Sequence, residues 1–533
     1  MRVLALTATL ATGLAAGCDA KRESLHQRRD PGALVVAQAA DVIALDPVRA
    51  TDSESIEVGE LLFEGLVGWK PGTTEIEPRL ATQYQVSDDG MTWTFNLRSH
   101  VRFHDGTPMD AEAVVFSFER LLVKGHPQAL GDGGNYWRAM LSDVERVVAI
   151  DPLTVEIRTR RKYAPLLGNL AMYPIVSPTA VKKWGAKFAD HPVGTGPFMF
   201  DDWIRDSRVV VRRFDGYWGR PAGLNQIVFQ VVVDARQRLI NLESGSVDLA
   251  MSILPDEQPF VELHPDLDLH HAAGNDISYL ALNTQRPPFD DVRVRRAANY
   301  AVNKEPIVKL GYQGRAIAAD TPLPPSMWGY HQPTTRYQYD PVAARRLLAE
   351  AVNDHAFDPA QVYRLYAPST PRPYLPQPER VARFLQASLE QVGIHTELVL
   401  LPYPQFRAAV QAGEHDMCVF GWVGDTGDPD NFLYVLFHTK QSSTELGAQN
   451  VALYRDKDVD DMLVSAQEAS DEATRSALYA AVQDKLASDA PWVPLAHSEL
   501  VVAGRKELER VVLSPTGHPV YSLIRRRAED QDR

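Results

Sequence analysis

One continuous segment decides the fold class of this chain: YRLYAPSTPRPYLPQPERVARFLQASLEQVGIHTELVLLPYPQFRAAVQAGEHDMCVFGWVGDTGDPD, residues 363–430. Three short apolar runs within it predict strands, at residues 363–366, 394–401 and 416–422. Apolar residues at helical spacing predict one helix that ends at Gly393 and another around Phe406. Strands that alternate with helices indicate an α/β protein with a mostly parallel sheet.

The third run leads into the loop GDTGDPD, residues 424–430. Ligands of parallel sheets bind in the crevice at the carboxyl ends of the strands. This loop, which begins at Gly424, is therefore predicted to be the part of the chain best placed for binding. It resembles a calcium loop only superficially, because Gly427 and Pro429 stand in the wrong places and the terminal Glu of an EF-hand is missing.

Outward from this segment, other patterns predict further elements. An alternating run predicts a half-buried strand at Met91, Trp93, Phe95 and Leu97. Continuous apolar runs predict buried strands at residues 35–37, 209–211 and 227–233. Asp110 and Asp340 are predicted N-caps of helices, the second with a proline at the first helical position.

The composition is that of an ordinary globular protein, with 45% apolar and 23% charged residues among 533. At about 150 residues per domain, this length predicts three or four domain-sized units. The formal net charge is −14, which disfavours nucleic-acid binding because that function needs a basic surface. Cys18 and Cys418 are too few for a disulfide framework or a cysteine-based zinc site.

Catalytic motifs are absent from the sequence, which contains no G-x-S-x-G elbow, H-E-x-x-H pair or Walker A loop. Residues 194–196 (GTG) begin like a dinucleotide fingerprint, but Pro197 follows and a structural turn is the better interpretation. Cys418 lies inside an apolar run and is predicted to be an inert buried thiol. The sequence therefore predicts a protein that is not an enzyme and has no cofactor and no metal site.

The N-terminus is predicted to be an export signal. After Met1-Arg2, residues 3–17 are apolar and small, as in a secretory signal. They end LAAG before Cys18, which resembles the lipobox of bacterial lipoproteins, although Ala15 stands where leucine is commonest. We expect removal of residues 1–17, lipidation of Cys18 and a polar tether over 18–33. A plain signal peptide with an incidental cysteine is the alternative.

Seven segments in a consistent order resemble one known family. They are residues 105–121 (DGTPMDAEAVVFSFERL), 193–198 (VGTGPF), 238–250 (RLINLESGSVDLA), 277–284 (ISYLALNT), 289–308 (FDDVRVRRAANYAVNKEPIV), 372–382 (RPYLPQPERVA) and 421–433 (GWVGDTGDPDNFL). From about residue 35 onward, the chain resembles the peptide-binding family of bacterial ABC-transporter solute-binding proteins (extracellular solute-binding protein family 5). Its dipeptide-binding branch is the most similar.

The resemblance implies an α/β fold of the periplasmic-binding-protein type, a clamp of two lobes. The implied parts are lobe I (34–276 and 496–533), a subdomain on lobe I (about 66–190), lobe II (277–495) and two crossing hinge segments (near 275–282 and 492–495).

The resemblance also implies a pair of ligand-binding charges. In the dipeptide-binding branch, an arginine of the R-P-Y segment binds the peptide carboxylate and an aspartate of the G-W-x-G-D segment binds the ammonium. Here these are Arg372 and Asp425, separated by 53 positions as in that branch. A planar guanidinium matches a carboxylate, so the pair suits a zwitterion such as a dipeptide, which extends about 7 Å. The alternative is that both side chains are solvated or paired with other side chains.

Five neighbouring residues are expected to complete the site. Trp422 and Tyr374 flank the charges and are predicted to line a pocket, and Gly424 opens the binding loop. Tyr279 and Asn283 lie near the hinge strand and are expected to offer polar groups to the peptide backbone.

The implied function is that of an exported binding protein, a monomer that captures short peptides, dipeptides first among them, and delivers them to an ABC permease with a separate ATPase. It would act on the periplasmic or cell-surface side of the bacterial inner membrane, held there by lipid, and bind no nucleic acid. The alternatives on this scaffold are longer or antimicrobial peptides and haem or nickel chelates. An exported peptidase and a chaperone-like scaffold are rivals of other classes.

Overall fold

The computed structural model describes residues 32–50, 52–442, 449–514 and 516–527. The expected signal segment, Cys18 and almost all of the expected tether lie outside the described residues. Among the helices that are described, none has both the length and the apolar character needed to cross a membrane.

Strands and helices alternate along most of the described chain. The strands are β1 (Ala33–Gln38), β2 (Val67–Trp69), β3 (Ile76–Pro78), β4 (Ala81–Val86), β5 (Thr92–Leu97), β6 (Val144–Asp151), β7 (Thr154–Thr159), β8 (Phe198–Ile204), β9 (Arg208–Arg213), β10 (Gln226–Val231), β11 (Leu249–Ala250), β12 (Leu267–Ala273), β13 (Asp276–Leu282), β14 (Ala316–Ala318), β15 (Val362–Pro368), β16 (His395–Leu401), β17 (Met417–Val423), β18 (Trp492–Arg505), β19 (Leu508–Glu509) and β20 (Arg525–Arg526). The α-helices are α1 (Ser53–Leu62), α2 (Ala111–Leu122), α3 (Asn135–Met140), α4 (Leu166–Met172), α5 (Pro178–Trp184), α6 (Ala235–Glu243), α7 (Gln258–Leu263), α8 (Val292–Ala301), α9 (Lys304–Gly311), α10 (Pro341–Asn353), α11 (Pro378–Glu390), α12 (Tyr403–Gln411), α13 (Asp430–Phe437), α14 (Lys457–Glu468) and α15 (Glu472–Asp489).

One long strand, β18, connects the two halves of the largest sheet. Its first half pairs with β13 and β14, and its second half pairs with β11 and β12. The strand order is β16-β15-β17-β13-β18-β11-β1-β10-β9-β8, with β12 and β14 also on β18. We call residues 32–273 and 499–527 lobe I, and residues 276–498 lobe II. The α/β class predicted from the sequence is confirmed.

The chain crosses between the lobes at two adjacent places. One crossing is the short link between β12 and β13, and the other lies within β18, between Ser498 and Glu499. The resemblance places the second crossing near 492–495 and begins the returning part of lobe I at 496. In the structure, Ala496 and Ser498 still pair with lobe II strands, because β13 and β14 use them as ladder partners.

An antiparallel sheet of order β4-β5-β7-β6 forms a subdomain on lobe I and packs against α2. The predicted half-buried strand is confirmed by the burial along β5 of Trp93, Phe95 and Leu97. Asp110 caps α2 as predicted, because its side chain accepts a hydrogen bond from the Ala113 N–H at 3.0 Å. The subdomain core ends at Ile175, and Phe188 already belongs to the main core of lobe I.

The predicted strand–helix alternation is confirmed in lobe II. β15 pairs in parallel with both β16 and β17, and α11 and α12 connect the three strands. The carboxyl ends of the strands, at Pro368, Leu401 and Val423, therefore lie along one edge of the sheet. We call this edge, with the loops that follow it, the cleft edge.

The strand predicted at residues 227–233 ends two residues earlier in the structure. The run expected at 227–233 is β10, which ends at Val231, and Val233 is 77% exposed. Past Val231 the chain leaves the ladder, because Asp234 caps the next helix. The other predicted cap, Asp340, is confirmed, since its carboxylate accepts two backbone N–H groups at the start of α10.

Candidate functional site

Three loops meet at the cleft edge, one after each parallel strand. The chain reaches Arg372 after β15, Tyr403 after β16 and Asp425 after β17. Since β15 and β17 are neighbours in the sheet, the two charges predicted from the sequence follow adjacent strands and lie at the same edge of lobe II.

Arg372 is fixed through its backbone and lacks a counter-ion at its head group. Its N–H donates to the Leu375 carbonyl at 3.0 Å, and its carbonyl accepts from the Leu375 N–H at 2.9 Å. The guanidinium carbon lies 3.9 Å from the centre of the Tyr403 ring, where cation–π attraction operates. Among the described residues, no carboxylate lies within 4 Å of the guanidinium, and its buried Nε has no hydrogen-bond partner. The site therefore presents an unpaired cation.

Tyr374 lies in the turn between Arg372 and Leu375, and it lines neither of the two cavities that adjoin Asp425. It is 5% exposed and belongs to the lobe II core. A Cβ placed on Gly421 would lie 2.2 Å from its Cδ2, so only glycine allows the ring to pack against β17. Burial and the neighbouring Tyr403 raise the pKa of Tyr374, which keeps its hydroxyl neutral. Tyr374 thus supports the turn of Arg372, and its expected contact with a ligand stays a prediction.

Gly424 holds the start of the binding loop against the hinge. Its N–H donates to the Asn275 carbonyl at 2.7 Å, and the Asn275 amide returns a bond to the Gly424 carbonyl at 3.0 Å. A Cβ at Gly424 would lie 2.4 Å from the Phe432 ring, so this close approach requires glycine. Asn431 then accepts from the Asp425 N–H and from the Trp422 indole, both at 3.0 Å. These contacts fix where Trp422 and Asp425 stand.

Asp425 is an anion without a cationic partner. No described Lys, Arg or His nitrogen lies within 4 Å of its carboxylate, and burial raises its pKa to about 6. The Tyr136 side chain, which comes from the subdomain of lobe I, opposes this rise by hydrogen bonding to the carboxylate. The carboxylate therefore lies at the interface of the lobes and is poised to accept a proton or an external cation.

A buried ion pair braces the rest of this loop. Arg475 donates to both Asp428 oxygens, at 2.8 and 2.7 Å, and also to the Tyr479 hydroxyl. Removal of one partner of such a pair leaves an uncompensated buried charge, which costs about 3–5 kcal/mol. Asp428 is therefore occupied structurally, unlike Asp425, although both belong to the same acidic loop.

Two cavities adjoin Asp425. The larger, of about 640 Å³, lies between the lobes and has Tyr136, Arg161 and Tyr163 on the lobe I side and Trp422 with Asp425 on the lobe II side. The smaller, of about 170 Å³, is formed by lobe I apart from Asp425. Neither of these cavities includes Arg372. The structure thus brings Trp422 and Asp425 to one cavity and leaves Arg372 on the same edge but outside it.

Gln467 connects the lobes beside the larger cavity. Its Oε1 accepts from Arg161 at 2.8 Å, and its Nε2 donates to both Asp430 oxygens at 2.9 and 3.1 Å. Its backbone carbonyl accepts from the Ala164 N–H at 2.7 Å. Because Arg161 and Ala164 belong to lobe I, this one residue links the lobes beside the cavity that it lines.

Tyr279 lies in the core of lobe II and lines neither of the two cavities beside Asp425. Its ring is fully buried and stacks on Trp492 with centroids 3.4 Å apart, inside the lobe II core. Its buried hydroxyl has no hydrogen-bond partner among the described residues, and the expected contact with a ligand stays a prediction. All seven residues of β13 are buried, so this strand is part of the packing of lobe II.

Asn283 lies at the opposite edge of the sheet. It follows Leu282, which pairs with Met417 at the amino end of β17, whereas Asp425 follows the carboxyl end. Its amide donates to the His415 carbonyl at 2.9 Å, and its side-chain oxygen accepts from the Gln285 N–H. Both polar groups of Asn283 are used within the protein, so the structure gives the expected ligand role no support.

Sequence reasoning missed three residues of the site. Tyr403 could have been found, since it follows the second parallel strand just as Arg372 and Asp425 follow the others. Tyr136 and Gln467 carry no local signal, because they reach the cavity only when the lobes come together. The predicted burial of the Cys418 thiol is confirmed, and burial raises its pKa.

Comparisons with known proteins agree with this geometry. The model of the family "Bacterial extracellular solute-binding proteins, family 5 Middle" matches residues 75–444. A dipeptide-binding protein of Escherichia coli is 35% identical over 86% of this chain and 87% of its own length. Heme-binding protein A of Haemophilus influenzae is 32% identical over 97% of both chains.

Solved structures show the same fold. HbpA2 from Haemophilus parasuis superposes with a TM-score of 0.85 at 28% identity, covering 93% of this chain and all of its own. The periplasmic binding protein DppA from Helicobacter pylori, solved with the peptide STSA, superposes with a TM-score of 0.77 at 32% identity, over 93% of this chain and 98% of its own.

Proposed function

Because this chain belongs to the bacterial extracellular solute-binding proteins of family 5, we propose that it captures short peptides, dipeptides first among them, between its lobes and delivers them to an ABC permease. The proposal is one of binding alone, and no chemical step is part of it. Relatives that bind dipeptides or the peptide STSA support it.

One observation carries the proposal: Arg372 and Asp425, opposite in charge, end adjacent parallel strands, and neither has a counter-ion among the described residues. A dipeptide supplies both missing charges, a carboxylate for Arg372 and an ammonium for Asp425. Hydrogen bonds between ionised groups are roughly twice as strong as neutral ones. A ligand that carries only one of the two charges leaves the other partner unsatisfied.

The same two charges explain why the lobes would close only over a bound ligand. An empty cleft that closes buries charge without compensation, which is unfavourable. A bound zwitterion removes that penalty, so the ligand binds the closed state better than the open one and shifts the population toward it. The contacts of Gln467 with both lobes then stabilise the closed arrangement.

Calorimetry with a series of ligands tests this proposal. We expect Ala-Leu to bind, and both N-acetyl-Ala-Leu and Ala-Leu amide to bind far more weakly. Haem and nickel–histidine are the competing ligands, since one relative is named a heme-binding protein and a protein of the same fold was solved with Ni(L-His). Binding of haem or nickel–histidine without binding of any free peptide would contradict the proposal.

A longer peptide is the second candidate. The larger cavity has a volume of about 640 Å³, which is in the middle of the range of roughly 300–1,000 Å³ for ligand pockets. The Helicobacter pylori relative was solved with the peptide STSA. The series Ala-Leu, Ala-Leu-Ala and Ala-Leu-Ala-Ala separates the two candidates, because tighter binding with each added residue favours the longer class.

Binding is expected to weaken as the pH falls through about 6. Burial raises the pKa of Asp425 to about 6, and a protonated carboxyl no longer attracts an ammonium. The peptide carboxylate keeps its charge over this range, and the peptide ammonium stays mostly protonated below about pH 7. Affinity measured from pH 5 to 8 should therefore drop toward the acid end by up to about tenfold per pH unit.

The control for this pH profile is Asp425→Asn, whose weak residual binding should be flat over the range. It is needed because burial also raises the pKa of Asp430, on the same cavity, to about 7. An unchanged slope in the variant would assign the titration to Asp430 and count against Asp425.

We also propose that Cys18 anchors the protein to the membrane through lipid. In cells fed a fatty-acid analogue with a clickable group, the wild-type protein should be labelled and sediment with membranes. The Cys18→Ser variant should be unlabelled. Equal labelling of both forms would contradict the anchor and favour a plain signal peptide.

A further inference from the structure

The smaller cavity beside Asp425, of about 170 Å³, has an apolar wall supplied by lobe I. Six side chains form most of it: Pro47, Ile56, Phe63, Trp137, Met172 and Pro174. Asp425 is its single contribution from lobe II. The cavity is therefore complete only when the lobes are together.

Apart from the Tyr136 hydroxyl, which interacts with Asp425, three polar side chains of this wall are already engaged within the protein. The Ser55 hydroxyl accepts from two backbone N–H groups, at 2.8 and 3.2 Å. The Trp137 indole donates to the Pro47 carbonyl at 3.3 Å, and Glu60 pairs with His518 at 3.3 Å. A guest inside the cavity thus meets mainly apolar surface, with the Asp425 charge at one side.

Gly59 is the residue that keeps this space empty. It lies inside α1 (Ser53–Leu62), where glycine is the least favourable residue apart from proline. An ideal Cβ at this position would have nothing within 4 Å, so neither crowding nor a left-handed backbone requires glycine. A larger side chain here would instead extend into the cavity that Gly59 lines.

We propose that this cavity is the subsite for the side chain of the ligand's first residue, that it selects an apolar side chain, and that Gly59 keeps it open. The inference rests on the proposed function, in which Asp425 binds the ligand's ammonium. The first Cα is one bond, about 1.5 Å, from that nitrogen, so the first side chain starts beside the cavity.

The volume sets the size of the accepted side chain. An apolar cavity of about 150 Å³ holds a benzene molecule, so 170 Å³ accommodates a leucine, methionine or phenylalanine side chain. The first residue would then touch lobe II through its ammonium and lobe I through its side chain. Burial of that side chain adds to the preference for the closed state.

Calorimetry at pH 7.5 tests the inference with Phe-Ala, Gly-Ala and Ala-Phe. Wild-type protein should bind Phe-Ala about tenfold or more tighter than Gly-Ala, since a buried phenylalanine side chain contributes at that scale. In Gly59→Leu the ratio should fall toward one, because the new side chain fills the cavity. Glu243→Leu adds the same side chain at an exposed position of α6 and should keep the wild-type ratio.

Any of three results would overturn the inference while the proposed function stands. The wild type could show no preference for Phe-Ala over Gly-Ala, or Gly59→Leu could keep the wild-type affinity ratio. The third result is that Ala-Phe binds as tightly as Phe-Ala and Gly59→Leu removes that affinity as well. Failure of the wild type to bind any of the three dipeptides overturns the proposed function and the inference with it. Circular dichroism establishes that the variants are folded, and if Gly59→Leu is not, the wild-type ratio decides.

Discussion

Arg372→Ala is expected to lower the affinity for free dipeptides by roughly 30- to 4,000-fold, which corresponds to about 2–5 kcal/mol. The variant removes the cation that no described carboxylate neutralises and leaves the ligand's carboxylate unpaired in a partly buried site. Calorimetry or intrinsic fluorescence with Ala-Leu measures the loss. Arg372→Lys should recover only part of it, because an ammonium lacks the planar fork of a guanidinium.

The C-terminal amide of the same dipeptide is the matched control. It should bind wild-type protein poorly, and Arg372→Ala should add little further loss, because both changes remove the same interaction. Two full and independent losses would show that Arg372 acts on something other than the carboxylate. Wild-type affinity in Arg372→Ala would exclude it from the site, in keeping with its absence from both cavities that adjoin Asp425.

Asp425→Asn should weaken the binding of free dipeptides on a similar scale, because the amide keeps the shape of the carboxylate but offers no charge to the ammonium. N-acetyl dipeptides should bind wild-type protein as weakly as free dipeptides bind the variant. Combining the variant with the acetylated ligand should add little. Unchanged affinity for the acetylated ligand would contradict Asp425 as the ammonium partner.

The stability of the ligand-free protein separates a binding role from a structural one. Burial raises the pKa of Asp425 above its ordinary value, so the fold favours the neutral form, and that contribution is lost as the pH rises through about 6. Asp425→Asn should therefore unfold at a higher temperature than wild type at pH 7.5 and at a similar temperature near pH 4. A residue that merely braced the loop, as Asp428 does with Arg475, would lower stability when replaced.

Both expectations describe one physical situation, a site whose two charged groups are in place but lack counter-charges. The backbone of Arg372 is fixed by Leu375, and that of Asp425 by Asn431. Ordering these groups in advance lowers the entropy lost on binding. In the proposed function, the ligand's ammonium neutralises the unfavourable charge at Asp425.

Local patterns in the sequence were enough for the elements of lobe II and for the edge that carries the site. Apolar period and the caps depend on residues near one another in the chain, so the parallel strands, their helices and the α2 and α10 caps were predictable. The loop that begins at Gly424 then follows from where one of those strands ends, whereas the choice of Arg372 and Asp425 came from the family resemblance. The pairing of the two residues with a peptide came from the family resemblance.

The tertiary structure alone decided which side chains surround those charges. Tyr279 carries a hydroxyl and looked available, yet Trp492 covers its ring from a strand more than 200 positions away. Tyr136, Gln467 and the cavity kept open by Gly59 are assembled from both lobes or from distant parts of lobe I. Such contacts depend on how segments far apart in the chain pack together. The local periodicity of a sequence does not predict that packing.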